Sequence, residues 1–283
     1  MNTEFYKEFE DKFKKYAKDN TNIRAALVMG SRARKNHPAD QWSDLDILVY
    51  CQNPKTELMD ASWLDGFGKV VTTVISKTAV GDEERLTLFD GGYQVDTVYY
   101  NLEGLQVLAD AETIYGALAR GAYVIVDKDN KFINFEDKNF NLNLKNTINE
   151  EPFINLVNMF WFLSMYIAKQ ALRDNLWTAK NAESDLRNIL LQIIEWHEKM
   201  NHNDNYDTWY GGKFINEWAQ SNIIEDIKNI FSGYSKEEIL TETKACMQLF
   251  KRLSIEIKEN YNYQYPYDLM ESVMSWFSQH TKL

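Results

Sequence analysis

Residues 29–50 read MGSRARKNHPADQWSDLDILVY, a glycine-serine turn after one apolar run, Ile23 to Met29, and an Asp-x-Asp pair at the head of a second, Leu45 to Tyr50. Alternate side chains of an extended strand share a face, so Asp44 and Asp46 point the same way, about 6.6 Å apart along the backbone. Carboxylate oxygens are the hard ligands that Mg²⁺ takes alongside waters and substrate phosphates, so this pair can hold divalent cations. Gly30 lets the backbone approach phosphates closely, and the Ser31 hydroxyl and N–H can donate to them. Arg32 is a further candidate phosphate partner, and Ser43 a support for the strand that carries the acids.

Taken singly, these features have ordinary explanations. Gly-Ser is a turn, Asp-x-Asp a solvated strand edge or cap, and an exposed Arg a solvated side chain. Asp96, within the run YQVDTVYY at 93–100, resists such a reading, because an acid in the middle of a strand that otherwise reads as buried needs a partner or an ion. The three acids in this order point to one shared site. Asp96 would complete the metal shell, act as general base toward a hydroxyl, or do both.

The net charge of -11 over 283 residues argues against a general nucleic-acid binder, since phosphate backbones are gripped mainly by Lys and Arg. Acidity suits a cationic substrate instead. Cys51 and Cys246 stand in no metal or redox spacing and fit packing residues in a reducing compartment. The four histidines, His37, His197, His202 and His280, form no i,i+4 pair and no cluster with cysteine, so no zinc site is expected. The opening MNTEFYKEFEDKFKKY lacks the apolar core of a signal peptide, and no apolar run approaches the ~20 residues that span a bilayer. The expectation is a cytoplasmic protein, monomer or homodimer, with no membrane or nucleic-acid partner.

Phe5, Phe9, Phe13 and Tyr16 recur at helical spacing and predict a helix over 4–18. Strands are expected at Ile23–Met29, Leu45–Tyr50, Lys69–Ile75, Arg85–Phe89, Tyr93–Tyr100 and Tyr123–Val126, all rich in Val, Ile, Thr and Tyr. Asp90-Gly91-Gly92 reads as a hairpin turn, which folds the Asp96 strand back within the same sheet. A helix over 103–120 completes an α/β domain at 1–130. The Asn-, Asp- and Lys-rich stretch from Asp127 to Glu150 contains a connecting segment, 131–150, lying against the surface. Beyond it, at 151–283, Ile154 to Arg173 is strongly apolar, Leu186, Ile189, Leu190, Ile193, Ile194 and His197 keep a helical period, and Ile239 to Ile257 suggests a third long helix. The fold class is therefore α+β: a mixed β-sheet flanked by helices, followed by a helical bundle.

Gly30-Ser31, twelve intervening residues, Asp44-x-Asp46 and a later strand acid resemble the signature of the nucleotidyltransferase superfamily that includes DNA polymerase beta. The chain is more similar still to the aminoglycoside 6-adenylyltransferases, the streptomycin-modifying branch. MGSR, the DxDI strand, FGKVV at 67–71, LTLFDGGYQVDTVYY at 86–100 and VDKD at 126–129 carry the likeness in the first half. FW at 160–161, YIAKQALR at 166–173, RNILLQIIEW at 187–196 and YPYD at 265–268 carry it in the second. The resemblance implies two Mg²⁺ ions on Asp44, Asp46 and Asp96, with ATP as co-substrate. AMP would pass to a hydroxyl of an aminoglycoside, in the first instance the 6-position of streptomycin, releasing pyrophosphate and inactivating the antibiotic. It also implies that Lys169, on the first helix of the second domain, binds nucleotide, with Lys213 a weaker candidate and the active site between the domains. A cationic acceptor calls for carboxylates and aromatic faces, for which Glu83, Glu84, Glu183, Asp185, Glu195, Trp161, Trp177 and Trp196 are candidates. Residues 81–85 and 180–185 differ from typical members, so a different small-molecule acceptor stays open. So does a catalytically silent nucleotide-binding module.

Overall fold

In the computed structural model, which describes residues 2–144, 148–231 and 233–281, the chain divides into one unit up to Asn143 and another from Leu144 on. The first begins with α1 (Asn2–Asp19), whose aromatic stripe buries Phe9 and Phe13. β1 (Ile23–Met29), β2 (Leu45–Cys51), α2 (Pro54–Met59), β3 (Val70–Lys77), β4 (Glu83–Phe89) and β5 (Tyr93–Tyr100) follow. Then come α3 (Leu102–Asp110), β6 (Thr113–Ile114), β7 (Ala122–Asp127) and β8 (Asn139–Phe140).

Six of these strands form one sheet in the order β3-β4-β5-β2-β1-β7. Its central pair, β2 and β5, is parallel, and every other neighbouring pair is antiparallel. A parallel pair needs a crossover, and residues between β2 and β5 supply it through α2 and the β3–β4 hairpin. Period-two alternation then sorts the side chains. Leu45, Ile47, Val49 and Val95 join the α1 side of the core, with Phe9, Phe13 and Phe89. Leu48, Tyr50 and Val98 join the other side, with Leu105, Phe132 and Phe135. Asp46 and Asp96 have the parity of this second face, two residues before Leu48 and Val98, at the end of the strands where its apolar core stops.

The helix expected over 103–120 ends at Asp110. Gly116 takes φ +67, a left-handed conformation that no α-helix continues through, and Thr113-Ile114 instead pairs with Asn139-Phe140. Phe132 and Phe135 are buried in the first unit, so this part of the Asn-rich stretch packs rather than dangles.

The second unit is helical: α4 (Glu150–Leu172), α5 (Leu176–Asn201), α6 (Ile215–Trp218), α7 (Ser221–Ile227), α8 (Lys236–Tyr261) and α9 (Tyr267–Thr281). Its core is centred on Phe160 and Phe250, stacked with centroids 3.6 Å apart, and on Trp161 set edge-on to both. Ser235 caps the start of α8: its hydroxyl accepts from the Glu238 N–H and donates to the Glu238 carboxylate. Lys180, Glu183 and Arg187 on α5 form an ion-pair network with Glu242 on α8. Among the described residues no helix is long and apolar enough to cross a membrane.

Candidate active site

The β2–β5 register sets Asp46 directly beside Asp96, and Asp44 lies one residue before β2 with the same parity as Asp46. Carboxylate oxygens of all three lie within 4.8 Å of one another. Asp44 and Asp46 are half-buried, and Asp96 is the most enclosed of the three. Burial, reinforced by the charges of Asp44 and Glu84, pushes the Asp96 carboxyl up to about 6, against the opposing effect of hydrogen bonds from Gln94. The Gln94 side-chain amide donates to both Asp96 oxygens, at 3.2 and 3.0 Å.

The glycine-serine turn is built around the same acids. Met29, the last residue of β1, stands opposite Asp46, and the next residue, Gly30, takes φ +74. A side chain there would be strained by the left-handed backbone, and its Cβ would overlap Oδ2 of Asp46. The left-handed backbone thus favours glycine here, and any side chain would displace the Asp46 carboxylate. Ser31 Oγ is buried with no hydrogen-bond partner, an orphaned hydroxyl in the wall of a cavity that also reaches Asp44.

Arg32, expected to meet phosphate, points its Nε at the Asp44 carbonyl and its Nη2 at the Ser43 carbonyl, both at 2.8 Å. Its guanidinium lies 3.5 Å from the centroid of the Tyr6 ring. The Ser43 hydroxyl donates to Asp40 Oδ1 at 2.8 Å and accepts from the Asp40 N–H at 3.0 Å, which fixes the turn leading into Asp44. Lys169 belongs to the second unit, at the end of α4, with its ammonium 5.7 Å from the Trp276 ring. Lys213 donates to the Tyr210 hydroxyl at 3.1 Å.

A cavity of about 900 Å³ opens beside Asp44 and Ser31, walled by Tyr6, Arg32, Trp42, Tyr93 and Tyr123. Trp42 is exposed on a held loop, since its own N–H donates to Asp40 Oδ1 at 2.9 Å. Sequence reasoning passed over Trp42, Tyr6 and Gln94; an indole in a polar loop two residues before the first acid was the available signal. Of the acceptor candidates, Trp161, Trp196 and Glu183 are buried, the two indoles in the core of the second unit and Glu183 within its ion pairs.

The donor set suits a divalent cation. Three hard carboxylates converge, burial and then neighbouring negative charge raise the proton affinity of Asp96, and a partnerless hydroxyl stands beside them.

A family model described as "Streptomycin adenylyltransferase" matches residues 3–280. The chain is 26% identical over 278 residues to an aminoglycoside 6-adenylyltransferase of Staphylococcus aureus, covering 94% of each. It is also 26% identical over 270 residues to one of Campylobacter jejuni, covering 92% of this chain and 90% of that one. Among solved structures, an aminoglycoside 6-adenyltransferase from Bacillus subtilis aligns over 95% of both chains at 19% identity, with a TM-score of 0.45.

Proposed function

The chain belongs to the streptomycin adenylyltransferase family, and on that footing we propose that it transfers AMP from ATP to a hydroxyl of an aminoglycoside, with the 6-position of streptomycin as the first candidate. The observation that carries this reading is the convergence of Asp44, Asp46 and Asp96 beside the Gly30-Ser31 turn. The acceptor oxygen would bond to the α-phosphorus of ATP as the bond from that phosphorus to the bridging oxygen breaks, and pyrophosphate would leave. Asp44, Asp46 and Asp96 would hold Mg²⁺, which when bound neutralises triphosphate charge and favours in-line attack.

Asp96 has a second use. As a carboxylate that converges with Asp44 and Asp46, it would take the acceptor hydroxyl proton. The Ser31 hydroxyl, without a partner inside the protein, would donate to a phosphate oxygen. Lys169 stays part of the proposal as a nucleotide contact on the family resemblance alone. The net charge of -11 favours a polycationic acceptor over an anionic one. A different small-molecule acceptor is the second reading, favoured by the burial of Trp161, Trp196 and Glu183, which removes them from any pocket for a cationic ring.

The test is a screen of purified protein with ATP, Mg²⁺ and a panel of aminoglycosides, read by pyrophosphate release and by the mass of the product. Release with streptomycin and an adenylylated product is the expected result. Release only with another aminoglycoside moves the acceptor away from streptomycin, and none with any member of the panel discards the aminoglycoside reading.

A further inference from the structure

The hydrogen-bonded ladder between β2 and β5 begins at Leu45 opposite Val95 and continues through Asp46 opposite Asp96. These two acids are therefore held by backbone pairing, whereas Asp44 precedes the ladder. Something else must fix it. The Asp44 carbonyl accepts from Arg32 Nε and the neighbouring Ser43 carbonyl from Arg32 Nη2. The same guanidinium lies over the ring of Tyr6, a buried residue of α1. The Tyr6 hydroxyl accepts the backbone N–H of Gln94 at 3.2 Å, and the Gln94 side chain donates to Asp96. A continuous series of contacts thus joins the backbone of the first acid to the carboxylate of the third.

We propose that Arg32 is a positioning residue, clamping the turn before β2 against Tyr6 and the start of β5 so that Asp44 meets a divalent cation shared with Asp46 and Asp96. The proposal rests on the reading that these acids bind divalent cations, but not on the identity of the acceptor. A guanidinium suits the task because its planar fork serves two carbonyls while its face stacks on a ring. A lysine ammonium is a point charge that can replace it at a phosphate but not in this geometry. Arg32→Lys therefore separates a clamp from a phosphate ligand.

The experiment is a calorimetric titration of the full chain with Mn²⁺, without nucleotide, on the parent, Arg32→Lys, Tyr6→Leu and the double variant. KM for ATP is measured in parallel, and thermal unfolding serves as the folding control. Outer residues that orient metal ligands are worth about 10- to 100-fold in affinity, so each single variant should bind Mn²⁺ about tenfold more weakly or worse. If both act through one clamp, the double variant should lose little beyond the weaker single one. Arg32→Lys with Mn²⁺ affinity within about twofold of the parent, whether or not its KM for ATP rises, overturns the proposal. If Arg32→Lys does not fold, Tyr6→Leu decides: weakened Mn²⁺ binding supports the clamp, and parent-like binding overturns it. A parent that binds no Mn²⁺ overturns both the clamp and the metal-binding role of the acids, whereas a failed acceptor screen with intact Mn²⁺ binding overturns the acceptor reading alone.

Discussion

Each unit gathers carboxylates out of bulk water, and the two clusters are finished differently. In the second unit Glu183 and Glu242 are each 1% exposed and are interleaved with Lys180 and Arg187, so two acids meet two cations and tie α5 to α8. In the first, three acids converge, and the nearby Arg32 donates to the carbonyls of Ser43 and Asp44. The proton affinity of Asp96 is raised chiefly by burial, with a smaller contribution from the charges of Asp44 and Glu84. A charge cluster balanced by its own residues stabilises a packing interface. Three acids that converge on one point can instead share a divalent cation taken from solution.

The sharpest way to break this contrast is Asp44→Asn. If the first cluster is catalytic, removing one ligand should lower turnover on the order of a thousandfold, the size expected when several kcal/mol of charge stabilisation are lost. Steady-state pyrophosphate release measures it, and a loss of only a few-fold would put the two clusters on the same footing. Gly30→Ala comes next. The strained φ and the overlap with Asp46 should cost about 1 kcal/mol in stability and more in turnover, roughly 10- to 100-fold, because Asp46 must move. Denaturant titration and kinetics on the same sample separate the two effects.

Lys180→Ala tests the other cluster. Breaking a buried pair costs about 3–5 kcal/mol, and with Lys180 about a quarter exposed a loss of about 1–3 kcal/mol is expected after allowance for screening. Turnover measured well below the unfolding temperature should stay within a few-fold of the parent.

The smallest effect concerns pH. Asp96 titrates at about 6 in the folded protein against 3.8 as a free side chain, so the folded state binds more protons across this window. Its favourable contribution to stability is complete below about pH 4 and is lost as pH rises through about 6. The full displacement corresponds to about 3 kcal/mol, which partial exposure reduces to about 1–2 kcal/mol. Metal-free Asp96→Asn should therefore be more stable than the parent at pH 8 by that amount, and the advantage should disappear at pH 4. Thermal unfolding at the two pH values checks it.

Much of this was legible in the sequence. Strand alternation placed Asp44 and Asp46 on one face, and the Asp90-Gly91-Gly92 turn folded the Asp96 strand back into their sheet. β1 and β5 begin and end where the apolar runs do. The end of α3 was not legible, because residues 103–110 and 116–120 both suit a helix and what separates them is the extended backbone at Ala111 and the pairing of Thr113-Ile114 with a strand far along the chain. The surroundings of Arg32 were hidden for a different reason. Its partners are two carbonyls and the ring of Tyr6; backbone acceptors leave no residue pattern, and Tyr6 reads only as one more buried aromatic of α1. The same limit applies to Trp161 and Trp196, since an indole in a helical period looks alike whether it faces a pocket or the core.

The most direct test of the shared metal centre is the dependence of turnover on Mg²⁺, measured for the parent and Asp44→Asn with ATP and the best acceptor. Turnover in the parent should be absent in chelator and saturate as Mg²⁺ is added, while the variant stays on the order of a thousandfold lower at the highest concentration. A parent that turns over equally well in chelator, or a variant that matches it at any Mg²⁺ level, would contradict the assignment.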